Sequence, residues 1–140
     1  MTDNVTLIET PRGKIPIGDF TGGKVYSYDY ANRRIIIAHA EPAKRYTEQD
    51  LYEVKMLGGD SIVVSDENKF LTRDGWMMAK ELSRNDSLVV GEEVGGIAAY
   101  AKVEYVRFKK KDFYWEVNVI GTHNYIAHGF VIGNSIRKLP

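Results

Sequence analysis

Apolar positions along the chain fall in short runs of alternating or unbroken hydrophobicity, with little helical spacing. The segments "VTLIET", "KVYSYD", "RIIIAHA", "YEVKMLG", "SIVVS", "SLVVG", "AKVEYVRF", "YWEVNVIG" and "YIAHGFVIG" are rich in β-branched and aromatic residues, and each predicts a strand. Between them "PRGK", "TGGK", "YANRR", "LGGD" and "RDGW" carry the residues that favour turns. Only two stretches have a helical signal: "YTEQDLY", opened by Thr47 as an N-cap, and "MAKEL", a single turn ahead of Ser83. No linker or low-complexity segment interrupts the series. The pattern predicts one all-β domain with one or two short helical turns.

A faint repeat lies on top of this pattern. Residues 50–58, "DLYEVKMLG", are echoed by residues 112–121, "DFYWEVNVIG", with one residue inserted. A polar turn and a further apolar strand follow each copy. A duplicated strand–turn–strand unit with pseudo-two-fold symmetry is therefore expected.

Composition narrows the classes of function. With 140 residues, 44% hydrophobic and 27% charged, the chain can bury one good core. Lys and Arg total 19 and Asp and Glu total 19, so no net field draws the protein to nucleic acid or anionic lipid. No apolar run has the length of a membrane span and the N-terminus lacks a signal-peptide pattern, so a cytoplasmic protein without a membrane partner is expected. The absence of cysteine removes disulfides, thiolate metal sites and a cysteine nucleophile. His39, His123 and His128 lack both helical i, i+4 spacing and an evident carboxylate partner, so neither metal nor other cofactor is expected. The run "RFKKKD" (Arg107, Phe108, Lys109, Lys110, Lys111, Asp112), with nine tyrosines elsewhere, raises a nucleic-acid-binding barrel. A solvated hairpin turn explains it more simply, and no nucleic-acid partner is expected. Phe70 and Trp76 read as core aromatics, His39 as structural and His128 as an ordinary strand histidine.

The chemistry gathers at the C-terminal end. In "HNYIAHGFVIGNSIRKLP" the last apolar run stops at Gly133-Asn134-Ser135. An asparagine amide can attack its own backbone carbonyl, form a succinimide and release the next residue as an amine. That reaction needs the side chain held in a near-attack geometry, a polarised carbonyl and a proton for the leaving nitrogen. His123, eleven residues upstream, can supply polarisation or the proton if "THNY" is a turn feeding an antiparallel return. Ser135 places a hydroxyl directly across the bond, suited to receiving an acyl group.

These residues carry a resemblance. "VNVIGTHNYIAHGFVIGNS" resembles the C-terminal motifs of inteins, the protein-splicing branch of the hedgehog/intein (Hint) family. "SIVVSDENKFLTRDGWMMAKELSRNDSLVV" resembles their central motif, and "VTLIETPRGKIPIGDFTGGKVYSYD" the N-terminal one, in which Thr6 lies five residues after the nucleophile position. The resemblance implies an all-β horseshoe with pseudo-two-fold symmetry, in a mini-intein without an endonuclease domain. Residues 1–134 would be the splicing domain and 135–140 a C-terminal flanking (extein) segment. The partners implied are the chain's own flanking sequences, in a monomer or in two complementary fragments if the parent is split at "TGGK" or "DYANRR". Self-processing would be a single-turnover event.

Transfer residue by residue exposes departures. Met1 occupies the place of the cysteine or serine nucleophile, and its thioether has no proton to lose, so the N-terminal acyl shift is expected to be closed. Asn68 stands where the central motif places histidine, three residues after Ser65. It can hydrogen-bond a scissile amide but cannot shuttle a proton near neutral pH. In the resemblance, Ser65 and Asn68 would hold the N-terminal scissile amide. Gly133 replaces the penultimate histidine. Glu116, seven residues before His123, falls where the family often has Asp and reads equally as an acid/base group or as an outward polar strand residue. The expectation is a mini-intein limited to Asn134 cyclisation with cleavage before Ser135. The alternative is a degenerate or inactivated Hint domain kept as a folded structural or binding module.

Overall fold

The turns Thr10-Pro11-Arg12-Gly13 and Thr72-Arg73-Asp74-Gly75 are built alike. In each, the threonine hydroxyl donates to the glycine carbonyl at 2.7 Å and accepts the backbone N–H two residues on at 3.1 Å. The glycines supply the positive φ that closes each turn, 104° at Gly13 and 111° at Gly75. A computed structural model describes residues 6–91 and 99–133 and sets these turns in an all-β fold. Its strands are β1 (Leu7–Thr10), β2 (Gly13–Pro16), β3 (Gly23–Asp29), β4 (Arg34–Ala40), β5 (Lys44–Met56), β6 (Ser61–Ser65), β7 (Lys69–Thr72), β8 (Gly75–Met78), β9 (Ser87–Val90), β10 (Ala99–Glu116), β11 (Asn124–Ala127) and β12 (Phe130–Gly133). Two short 3-10 turns, Ile17–Asp19 and Ala79–Glu81, follow β2 and β8. The second is the expected turn in "MAKEL".

The duplication runs deeper than the sequence echo. Leu7 and Lys69, Gly13 and Gly75, and Ile17 and Ala79, which begin matching elements, are each 62 residues apart. The echoed strands β5 and β10 also pair with each other, Asp50 opposite Lys111 and Gln49 opposite Asp112. Exchanging the copies by 62 residues maps one pair onto the other, as a pseudo-two-fold axis between them requires.

Ten strands form one sheet in the order β2-β1-β11-β12-β7-β9-β10-β5-β6, with β8 attached to β7. The long β10 pairs with β9 through residues 99–102 and with β5 from Val103 onward, which curls the sheet into a horseshoe. Register shifts at three points of the β10–β5 ladder add the local twist such curvature needs. Around β7, β9, β11 and β12 the side chains divide by parity. Phe70, Leu88, Val90, Tyr125, Ala127, Phe130 and Ile132 enter the main core, while Leu71, Val89, Ile126 and Val131 form a second cluster. The β3–β4 hairpin covers that second face with Tyr28 and Ile35. With both faces buried, these strands read as unbroken apolar runs.

Three expectations on local structure are corrected. Residues 46–52, including Thr47, lie inside β5 and are not helical. Thr47 spends its carbonyl on Gln49 Nε2 (3.0 Å), and pairing with β10 outweighs the weak capping signal. The run "RFKKKD" is no turn but the middle of β10, where Arg107 meets Glu53 at 2.9 Å and Lys111 meets Asp50 at 3.4 Å. The run "YIAHGFVIG" is not one strand but the hairpin β11–β12. His128 (φ 52°) and Gly129 (φ 82°) form its two-residue loop, the left-handed pair that type I′ turns use.

Candidate active site

Asn68 follows the bend that opens at Ser65, immediately before β7. Its backbone N–H donates to the Ser65 carbonyl at 3.0 Å, and its own carbonyl accepts from Ala79 N at 2.8 Å. The Ser65 hydroxyl stays within the bend, accepting from Glu67 N at 3.2 Å and reaching Asp66 Oδ1 at 3.4 Å. Thus the backbone of the bend is anchored on both sides, and the Asn68 side chain is fully buried.

That side chain joins two strands from the other end of the chain. The Tyr114 hydroxyl, on β10, donates to Asn68 Oδ1. Asn68 Nδ2 donates to the Gly133 carbonyl, at the end of β12, at 3.3 Å. Because the Gly133 carbonyl can only accept, the amide has one sensible orientation: its N–H₂ faces Gly133 and Oδ1 is left for the Tyr114 hydroxyl. Tyr114 also meets Tyr125, whose hydroxyl donates to Glu116 Oε1 at 3.2 Å. Burial, reinforced by Glu116 and Tyr114, raises the Tyr125 pKa well above its ordinary value, so the phenol keeps its proton as a donor. Asn68, Tyr114, Tyr125, Glu116 and Gly133 thereby form one buried polar line.

Several site expectations resolve on this geometry. Glu116 is buried, which rules out the outward-facing reading of that residue. Ser65, Asn68, Glu116 and Gly133 converge, with Ser65 contributing through its backbone. His123 is exposed in the turn before β11, with φ of 59° and its N–H on the Val119 carbonyl at 3.2 Å. Its neighbour Asn124 is fully buried and uses both ends of its amide on β3. Oδ1 accepts from Tyr28 N at 2.7 Å and from Ser27 Oγ at 2.9 Å, and Nδ2 donates to the Tyr28 carbonyl at 3.0 Å. Asn124 therefore pins the His123 turn to the body of the fold. The ladder between β11 and β12 ends at the pair Asn124–Gly133. Met1, Asn134 and Ser135, with the boundary between 134 and 135, lie outside the described residues.

Tyr114 and Tyr125 escape sequence reading, since nothing in "DFYWEV" or "NYIA" separates a tyrosine in a polar line from any core aromatic. Trp76 is not a core residue: it is 38% exposed and lies against Gly133. Phe70 is buried, edge-to-face on Phe130 at 5.6 Å between ring centroids. His128 is half-buried and accepts the Leu7 N–H on Nε2 at 3.0 Å, and burial lowers its pKa. In the basic run Arg107, Lys110 and Lys111 each have a carboxylate partner within 3.4 Å. Among the described residues no cluster of three or more potential ligands could hold a metal ion, and no helix is long and apolar enough to cross a membrane.

Neither a family model nor a curated protein matches the sequence. Solved structures do match the fold. A DnaB intein from Synechocystis sp. PCC 6803 superposes with a TM-score of 0.86 over 95% of this chain and 96% of its own, at 18% identity. The DnaX mini intein from Spirulina platensis gives 0.82 over 94% and 97%, at 19% identity. The gp41-1 intein gives 0.71 over 94% and 96%, at 22% identity. At such identities the likeness speaks for the fold, and it covers nearly the whole of each chain. The protein has the horseshoe Hint fold of the mini-inteins.

Proposed function

We propose that the chain is a self-processing domain of the intein type, comprising residues 1–134, whose remaining reaction is cyclisation of Asn134. The observation that carries this reading is the hydrogen bond from buried Asn68 to the Gly133 carbonyl, at the end of the β11–β12 ladder. It fastens the residue covalently joined to Asn134, while the residue preceding Asn124 on the opposite strand is His123. The Asn134 side-chain nitrogen attacks the Asn134 backbone carbonyl carbon, the Asn134–Ser135 C–N bond breaks, and a proton passes to the Ser135 nitrogen. The products are a C-terminal succinimide and a free amine on Ser135. His123 polarises the carbonyl or delivers the proton, and Asn68, backed by Tyr114, orients the strand end.

In a splicing-competent relative Ser135 would take the acyl group from the N-terminal junction, and the flanking sequences would be the domain's partners. Here Met1 closes that branch. Ser65 and Glu116 support the site through the bend and the tyrosine line.

An intact-mass time course near neutral pH tests the proposal. The expected result is slow loss of residues 135–140, leaving a dehydrated Asn134 terminus. His123→Ala is expected to slow the loss at least roughly ten-fold, the lower range for a positioned acid or base. An unchanged mass over days would sink the reading and leave a folded module. Loss at the same rate in His123→Ala would remove His123 from the mechanism.

A further inference from the structure

Gly133 is not among the glycines with positive φ, so its backbone does not demand glycine. Its surroundings do. A Cβ added there would stand 2.9 Å from Trp76 Cζ3, 3.1 Å from Trp76 Cε3 and 3.4 Å from Lys69 Cβ. The first distance is shorter than carbon atoms tolerate, and the obstacle is a flat ring rather than a flexible side-chain end. Trp76 reaches this point across β7. It pairs with Leu71 there, while Gly133 pairs with Lys69, two residues away on the same face. The ring thus covers the face of Gly133, and Asn68 holds its carbonyl by hydrogen bond.

We infer that Trp76 is a positioning residue for the C-terminal junction and that it restricts position 133 to glycine. The inference rests on the proposed cyclisation of Asn134. Ring and amide together limit how the strand end can shift or rotate, and misplacement by a fraction of an ångström is costly when a side chain must meet its own carbonyl. A glycine at 133 is then the counterpart of an indole at 76, not a simple loss of a side chain.

The test is a set of cleavage time courses, with thermal unfolding of each variant to confirm folding. Trp76→Ala is expected to slow release of residues 135–140 roughly ten-fold, and Trp76→Phe to restore much of the rate. Gly133→Ala is expected to cleave more slowly than Trp76→Ala while Trp76 is present, and Gly133→Ala/Trp76→Ala to rise to the Trp76→Ala rate. Likewise Gly133→His/Trp76→Ala is expected to cleave faster than Gly133→His and to show a new pH dependence near the ordinary histidine pKa of about 6.5. Gly133→Ala cleaving at the unaltered rate, or a double variant no faster than its Gly133 single variant, would overturn the inference while the cyclisation reading stands. Absence of cleavage in the unaltered chain would overturn that reading first, and this inference with it.

Discussion

The hairpins β1–β2 and β7–β8 share a turn, a 3-10 exit and the spacing between their elements, but their settings differ. Strand β1 lies between β2 and β11 and is buried only at alternate residues, whereas its counterpart β7 lies among β8, β9 and β12 and is buried over its last three residues. The residues that lead into them are equivalent: the carbonyls of Thr6 and Asn68 accept from Ile17 N and Ala79 N, both at 2.8 Å. Thr6, though, offers a hydroxyl to the Val63 carbonyl at a long 3.5 Å, while Asn68 links Tyr114 to Gly133. Duplication supplies the frame twice. The candidate site grows on the second copy because β12 brings Gly133 to that copy's entry residue.

The contrast can be broken most strongly at those entry residues. Asn68→Ala should cost about 2–3 kcal/mol by removing the acceptor of the buried Tyr114 hydroxyl and a donor to the Gly133 carbonyl. Thr6→Ala, losing one long bond, should cost about 1 kcal/mol or less. Urea unfolding of both variants decides the matter, and equal losses would contradict the asymmetry.

A smaller effect concerns the tie between the halves. His128, in the β11–β12 loop, accepts the Leu7 N–H of β1 and is held neutral mainly by burial, with Asp60 pulling the other way. Its folded pKa lies below the unfolded value, so the unfolded chain takes the proton first as pH falls. The stability from this residue is complete above about pH 6.5 and declines as pH drops through the folded pKa. His128→Asn keeps a residue that tolerates positive φ but abolishes the titration. The stability difference between the unaltered chain and this variant should therefore narrow between about pH 7.5 and pH 5. A difference that widened with acid would reverse the sign.

The smallest effect should be the most symmetric. Thr10→Val and Thr72→Val each remove one hydroxyl from the same pair of hydrogen bonds in equally buried positions. Losses of about 1 kcal/mol apiece are expected in thermal or urea unfolding. A much larger loss at Thr72 would show that the surrounding strands, and not the turn itself, set the value.

The strand-rich class, the duplicated unit, the "RDGW" turn and the turn in "MAKEL" were legible because short-range patterns encode them: β-branched runs, glycine after a polar pair, and a spacing that repeats. The convergence of Asn68 and Gly133 on one point was not legible, since they lie 65 residues apart and meet only because β12 docks on β7. Tyr114, Tyr125 and the contact of Trp76 with Gly133 escaped notice for the same reason.

Local propensity also misled where long pairing took over, at Thr47 and in the basic run of β10. A backbone that can hydrogen-bond along a whole partner strand overrides a single capping or turn residue. Alternation and turn chemistry along the chain thus determined the class of fold. Only the tertiary structure decided which buried groups share hydrogen bonds, because a donor finds its acceptor across strands that no stretch of sequence places side by side.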